Sequence, residues 1–401
     1  MSKIFRISGT GCTLVDYLYK PVDFRSQRFR PYLSKSPGDG GLTPGKLVFS
    51  EEFQKFMGTD YLKARKEITG NLPPVAINIG GPSVVSLIHA AQMMHQLPAG
   101  VHFYACRGAD DGGKFLEEML ARTPIKKGLF KTGSHYTPFT DVLSDPAYDS
   151  GNGERIFINN IGAAREMTPS DLDDTFFDSD ITVFGGTALV PNIHNHLGSL
   201  LKKAKANNAI TVVNTVYDFL SERNNPAQTW PLGESAETYR YIDLLIADME
   251  EAIRLSGAST PADALAFFRS SGVGASIITH GANPVHFYAG QPLWGNIDAD
   301  SLPVSDAVKQ QLRDNPAVNG DTTGCGDNFA GGVIASIASQ LIASPRVQPD
   351  LRTAIAMGVV SGGFACFYHG GTYYEDYPGE KAARIEPYLK SYLLQINRKN
   401  L

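Results

Sequence analysis

The chain has 401 residues, 42% of them hydrophobic, and a formal net charge of −5 from 36 basic and 41 acidic side chains. That is enough apolar material for a large core, and the absence of any long run of like charge argues against a nucleic-acid groove. Four cysteines with no CxxC pair argue against a disulfide framework or a cysteine-rich zinc site; neither the N-terminus nor the glycine-rich segment Ala354–Phe367 suits a signal peptide or a membrane span. The expectation is a soluble cytoplasmic protein in a reducing compartment, without nucleic-acid or membrane partners.

In chain order, Thr13 to Phe49 is strand-like and rich in Gly, Pro and Tyr, and Ser50 to Asn71 is charged and helix-like. From Pro74 onward, short apolar runs alternate with helical spacing. Strands are expected at Val75–Asn78, Val101–Ala105, Ile181–Phe184, Ile210–Val213, Leu244–Ala247 and Ala275–Thr279. Helices are expected at Ser83–Gln96, Lys114–Arg122, Ile193–Lys205, Met249–Leu255, Pro261–Arg269, Asp327–Ile342, Leu351–Phe367 and Lys381–Gln395. Thr137 to Asn160 breaks the alternation around the turn Gly151-Asn152-Gly153. Near-continuously apolar strands between helices predict an α/β fold with a mostly parallel central sheet, helices on both faces, and ligands at the strand C-termini. Residues 1–12, 50–136 and 161–401 would make this core. Residues 13–49 and 137–160 would make a small antiparallel β lid, or, as the plain alternative, two surface loops.

The segment Gly320-Asp321-Thr322-Thr323-Gly324-Cys325-Gly326-Asp327-Asn328-Phe329-Ala330-Gly331-Gly332 carries the chemistry. Glycines at 324 and 326 let main-chain N–H groups turn toward one point without an intervening Cβ. An apolar helical run follows at once, and a helix N-terminus favours an anion. Asp327 stands at the rim of that anion hole. Phosphoryl transfer needs fixed donors for the equatorial oxygens and a carboxylate to take the proton of the attacking alcohol. The plain alternative is a glycine-opened helix in which Asp327 complements the macrodipole. Two look-alikes carry less. Gly40 to Lys46 has P-loop spacing, but Leu47 replaces the Mg²⁺-binding hydroxyl residue, and Gly108 to Gly113 is not a GxGxxG turn.

On these residues the chain resembles the ribokinase-like (PfkB) carbohydrate kinases over nearly its whole length. Asp321 to Asp327 is similar to that family's second signature, Asp-Thr-x-Gly-Ala-Gly-Asp, with Cys325 in place of alanine. The resemblance implies that Gly324, Cys325 and Gly326 form the anion hole and that Asp327 is the catalytic base. It further implies Asp16 as a ligand of sugar hydroxyls and Gly80-Gly81 as the floor of the substrate pocket. Gly108 to Gly113 resembles the first signature, and Gly153-Glu154-Arg155 the lid turn, with Arg155 near the substrate. Thr322, Thr279, Gly281 and Gly363 fall near the nucleotide. Asp248 to Glu251 resembles a motif whose glutamate orders water around Mg²⁺. ATP and Mg²⁺ are therefore expected, with K⁺ activation implied by the resemblance alone. Bland readings stand beside these: Asp16 as a solvated turn residue, Glu251 as an exposed helix-face charge, Arg155 as a cap on the hairpin surface.

The chain departs from the family pattern at three places. Val85 replaces a substrate-binding asparagine, Asp248 replaces an asparagine, and Asn214-Thr215-Val216 replaces Asp-Pro-Asn. The expected function is ATP-dependent phosphorylation of a sugar hydroxyl. The alternatives are a nucleoside (adenosine-type) kinase, with Tyr17, Tyr19, Phe24, Phe29 and Tyr32 available to stack a base, and a non-catalytic sugar-binding protein of the same fold. Arg25, Arg28 or Arg155 would hold the second phosphate of a phosphosugar. Lid edges offer a homodimer contact.

Overall fold

The computed structural model describes residues 4–36, 38–149, 153–290, 292–315, 320 and 322–398. Gly151 and Asn152 of the expected turn, and Asp321 of the glycine-rich segment, lie outside the described residues. In chain order the strands are β1 (Phe5–Gly11), β2 (Leu14–Tyr19), β3 (Leu47–Phe49), β4 (Ala76–Gly80), β5 (Ala99–Arg107), β6 (Lys126–Thr132) and β7 (Phe139–Asp145). They continue as β8 (Glu154–Asn160), β9 (Ile181–Gly185), β10 (Ile210–Asn214), β11 (Leu244–Asp248), β12 (Ala275–Thr279), β13 (Val285–Ala289) and β14 (Ile297–Leu302).

Among the described residues they form a nine-stranded sheet, ordered β14-β13-β12-β11-β10-β9-β1-β5-β6, and a five-stranded sheet, ordered β3-β8-β7-β2-β4. From β6 to β12 every neighbour pair of the large sheet is parallel; β13 and β14 complete its edge antiparallel. The inner strands read as unbroken apolar runs because both faces are covered. All five residues of β9, Ile-Thr-Val-Phe-Gly, are buried. The order reverses at β1: the chain turns one way to β5 and β6, then the other way to β9 through β12. Such a switch point leaves a crevice beyond the strand C-termini. Here both strands end in glycine, and a Cβ on Gly11 would sit 1.8 Å from the Gly185 carbonyl oxygen. Backbone alone can close that corner.

The helix Cys325–Ala343 has no solvent face over Asn328 to Ala338, and it packs between the helices Pro82–Met93 and Leu351–Ala365. Paired glycines permit the approach. A Cβ on Gly331 would lie 2.3 Å from the Ser86 carbonyl, and one on Gly332 2.5 Å from the Ser361 hydroxyl.

The sequence reading needs several corrections. The small sheet is mixed rather than antiparallel: β2 with β7 and β3 with β8 run parallel, while β7 with β8 and β2 with β4 run antiparallel. Parallel neighbours arise because the chain returns to this sheet after excursions through the large one. The strand expected at Val75–Asn78 lies at the edge of this small sheet, which moves residues 50–80 away from the large sheet to which alternation assigned them. Its period-two pattern, with Val75 and Ile77 exposed, belongs to a half-covered strand. The helix expected at Ile193–Lys205 is divided into Pro191–His194 and Leu197–Ala206. β6, β13 and β14 were missed; β6 and β14 are polar edge strands without an apolar run. No described helix is long and apolar enough to cross a membrane.

The helices Ser50–Met57 and Tyr61–Thr69 cover one face of the small sheet. Their anchor is Asp141 on β7, fully buried, which accepts from the Tyr61 hydroxyl and faces Arg65 at 3.5 Å. Burial pushes the Asp141 carboxyl up to about 6, against the lowering pull of Arg65. Asp141→Ala strands both partners and is expected to lower unfolding free energy by about 3 kcal/mol, read by urea denaturation. Because the folded value lies above the ordinary 3.8, this carboxyl stabilises below pH 4, and that contribution should fade as pH rises toward 6.

Candidate active site

The crevice at the switch point is built from both sheets. On the small sheet Asp16 pairs in register with Asn78 of the neighbouring strand β4. Gly80 makes room for the Asp16 carboxylate, since a Cβ there would lie 2.1 Å from its Oδ2. Gly81, at φ +104°, turns the chain into the helix Pro82–Met93 with its Cα against the Cys12 carbonyl, where a Cβ would come within 2.6 Å. The buried Cys12 thiol is pushed well above its ordinary value, first by burial and then by the carboxylates of Asp16 and Asp327. One thiol thus feels two acids 311 positions apart in sequence. The structure brings Asp16 and Asp327 to the same crevice.

Gly324, at φ +74°, caps the helix whose first three residues are Cys325, Gly326 and Asp327. The N–H groups of a first helical turn have no acceptors within the helix and lie at the positive end of its dipole. Gly324 touches Gly371, where a Cβ would come within 2.5 Å of the Gly371 Cα, whereas a Cβ on Gly326 would meet nothing within 4 Å. Residue 324 is therefore packed and residue 326 opens on free space. Asp327 is half-buried, and desolvation pushes its carboxyl up to about 7.

A support that sequence reading missed lies directly behind this turn. Asn328 is fully buried; its Nδ2 donates to the carbonyls of Gly324 and Gly371, both at 2.8 Å. Its Oδ1 accepts from Lys381 Nζ at 2.8 Å and from the Tyr368 hydroxyl at 3.1 Å. Lys381, itself buried, stands 5.5 Å and 5.7 Å from the ring centres of Tyr368 and Tyr373. Burial draws its ammonium down to about 7, opposed by the Glu375 carboxylate. The one signal in the sequence is an asparagine inside an otherwise apolar helix; nothing local names its partner 53 residues on.

At the C-terminal end of β11, Asp248 and Glu251 form a capping box: Glu251 N–H donates to Asp248 at 2.8 Å, and Asp248 N–H donates to Glu251 at 3.1 Å. Glu251 also accepts from the Thr215 hydroxyl and is buried, which removes the reading of it as an exposed helix-face charge. Burial, then the charge of Asp248, pushes Glu251 up to about 8, and Asp327 adds to the effect. A carboxyl kept neutral by burial and by neighbouring negative charge would be ionised by a divalent cation placed beside it. Among the described residues no three His, Cys, Asp or Glu side chains are grouped as a metal cage. Asp248 is exposed beside the buried Glu251, so the pair offers one carboxylate to solvent.

The remaining candidates are spread along the same edge. Thr279 ends β12, its hydroxyl 3.5 Å from the Ala247 carbonyl; Gly281, at φ +54°, has open space at its Cβ position. Thr322 is exposed on the approach to the helix. Arg155 on β8 reaches the Thr323 hydroxyl at 3.4 Å, a contact from the small sheet to the glycine-rich loop. Gly363 makes a different contact: its Cα faces Val308 of the helix Asp306–Asp314, and a Cβ there would lie 3.0 Å from both Val308 methyls. Val85 is buried under Gly371 rather than lining the crevice, so Asn78 beside Asp16 is the amide presented there. Tyr19, Phe24, Phe29 and Tyr32 are buried within the small-sheet unit, Phe24 and Phe29 with ring centres 5.0 Å apart, so they pack it and cannot stack a base. Tyr17 alone of that set stays half-buried. The P-loop look-alike Gly40–Lys46 leads into β3 instead of a helix and lines a cavity of about 800 Å³ with Phe49, Tyr217 and Phe219.

A family profile described as "pfkB family carbohydrate kinase" matches residues 88–376. Among solved structures, adenosine kinase from Schistosoma mansoni in complex with 2-fluoroadenosine superposes with a TM-score of 0.67 at 17% identity, covering 94% of this chain and 98% of that one. A probable sugar kinase from Rhizobium etli gives 0.67 at 15% identity, covering 96% and 99%. Adenosine kinase from Sinorhizobium meliloti gives 0.66 at 16%, covering 95% and 99%. At these identities the likeness establishes the fold. No curated protein matches in sequence.

Asn328→Leu should cost about 3 kcal/mol in urea unfolding, because it leaves a buried ammonium without its acceptor. Lys381→Met alone should cost less than about 1 kcal/mol, since Tyr368 still serves Asn328. The double variant should be more stable than Asn328→Leu alone, a coupling of about 2 kcal/mol across the pair.

Proposed function

Because the chain belongs to the pfkB family of carbohydrate kinases, we propose that it transfers the terminal phosphoryl group of ATP to a hydroxyl of a small sugar, with Asp327 as the base. The observation that carries this reading is the packing of the loop at Gly370-Gly371, which lies against Asn78, the strand partner of Asp16, on one side and against Gly324, at the helix N-terminus that bears Asp327, on the other. Asp16 and Asn78, in register on adjacent strands, bind neighbouring hydroxyls of the acceptor. The attacking hydroxyl gives its proton to Asp327 as the new P–O bond forms. The amides at 324–326 receive the charge on the transferred group, that of Gly326 foremost because Cys325 N–H already reaches the Thr322 carbonyl at 3.4 Å; preorganised donors act most strongly where water is excluded. The polyphosphate lies toward the ends of β11 and β12, near Thr279, Gly281 and Thr322. A bound Mg²⁺ there would offset phosphate charge, with Glu251 and Asp248 holding its water shell. Arg155 carries positive charge from the small sheet to the loop at Thr323, so we read that sheet as a lid whose closure completes the site.

Asp16 and Asn78 favour a polyol acceptor, and the aromatics that would sandwich a base are packed inside the lid. A nucleoside remains the second reading on one observation, the half-buried Tyr17 one residue beyond Asp16. ADP release with ATP-Mg²⁺ against free sugars, phosphosugars and nucleosides separates them, and a nucleoside turned over in preference to every sugar would overturn the first reading. We also propose that the lid edge carrying the exposed apolar side chains Leu72, Val75 and Ile77 is a homodimer contact.

Asp327→Asn should reduce kcat by about 10²–10⁴-fold while acceptor binding by calorimetry changes little. For the wild type, kcat/KM should rise with pH and level off above an apparent pKa near 7, as the desolvated Asp327 ionises. EDTA should abolish turnover, with recovery on adding excess Mg²⁺.

A further inference from the structure

We propose that Cys325 and Cys366 form a reversible disulfide site, closed by a peroxide, through which oxidation turns off phosphoryl transfer. The two sulfurs lie 3.4 Å apart, although the residues stand 41 positions apart on different helices. Cys325 is the first residue of the helix that opens the anion hole, and Cys366 caps the C-terminal end of the helix Leu351–Ala365. Both are half-buried, so a small oxidant reaches them. The other two thiols are protected: Cys12 and Cys106 are buried, and burial drives both well above the ordinary thiol range, Cys106 to about 11. Oxidation is thereby directed to one pair.

The chemistry balances with a peroxide as the oxidant. Hydrogen peroxide gives one oxygen to the first sulfur, forming a sulfenic acid and releasing water. The second thiol loses its proton and attacks that sulfur, the S–O bond breaks, and a second water leaves as the S–S bond forms. Two thiols and one peroxide become one disulfide and two waters. A dithiol reverses the step and is itself oxidised to a disulfide.

The mechanical consequence follows from the packing. To bond, the sulfurs must close from 3.4 Å to about 2.0 Å. The Cys366 end resists, because its carbonyl accepts from Gly320 N–H at 2.8 Å and its N–H is bonded to Gly363. The Cys325 carbonyl lies against Gly362, where a Cβ would come within 2.8 Å, so the carbonyl side of this turn is held as well. The displacement therefore falls on the other side of the first turn, where Gly326 opens on free space and the amides at 325 and 326 lie. A shift of about 1 Å at such a position costs up to about a hundredfold in rate.

The loss of activity rests on the function proposed above; formation of the bond does not. The full-length protein is treated with hydrogen peroxide, and non-reducing peptide mass spectrometry is run beside ADP release. The expected result is a peptide joining Cys325 to Cys366, with turnover reduced at least tenfold and both reversed by dithiothreitol. Cys366→Ser should keep its starting turnover within about twofold, form no joined peptide, and show no dithiothreitol-recoverable loss. Oxidation of either thiol to the sulfinic acid without the joined peptide would overturn the site, as would a fully cross-linked protein with unchanged turnover. A reduced protein that forms the joined peptide but phosphorylates nothing would support the disulfide site and count against the kinase reading of this chain's crevice.

Discussion

The crevice depends on one buried amide. Asn328 takes two carbonyls with its nitrogen and two donors with its oxygen, so its hydrogen-bonding capacity is filled without water. Three segments meet on it: the turn at Gly324, the loop at Gly371 and the C-terminal helix through Lys381. A buried polar group left half-satisfied is expensive, so this network holds one geometry far more firmly than apolar packing would. The adjacent Asp327 and the first-turn amides inherit that rigidity. A helix N-terminus binds anions in general; here its entry angle is fixed from behind.

Desolvation sets the protonation state of the crevice. Asp327, Glu251 and Cys12 are all pushed upward, and Lys381 downward, each by burial first. In every case the neutral form is favoured because low-dielectric surroundings penalise charge. The crevice thus resists holding several carboxylates ionised at once, and the positive charge that the structure brings nearest to the glycine-rich loop is Arg155, at the Thr323 hydroxyl. The close approach of the Cys325 carbonyl to Gly362 makes a change of about 1 Å at Cys325 consequential, since that side of the turn cannot absorb it.

Much of the fold was legible. Glycines around a carboxylate before an apolar run marked the opening of the helix Cys325–Ala343, and alternating apolar runs marked the parallel sheet. Gly80 and Gly81 were visible as glycines, but why residue 80 must lack a side chain emerged only with the Asp16 carboxylate beside it. Glu251 reads as a water-ordering acid near Mg²⁺ or, blandly, as an exposed helix-face charge; it is buried in a capping box, which removes the second reading. Gly363 looked like a nucleotide contact and faces Val308. The aromatic run from Tyr17 to Tyr32 suggested a stacking surface, and most of it is the interior of the small sheet's own core.

By itself the sequence determined what is local: element types, the glycine-opened helix, the acid at its first turn, and the absence of charge runs or cysteine clusters. These follow from backbone sterics, hydrophobic periodicity and capping, all of which act over a few residues. Tertiary structure decided which sheet received β4, that Asn78 would stand beside Asp16, that Lys381 would meet Asn328, and that Cys325 would touch Cys366. Those pairings join positions tens of residues apart. They are set by which surfaces bury each other on folding, a property of the whole chain that no window of it contains.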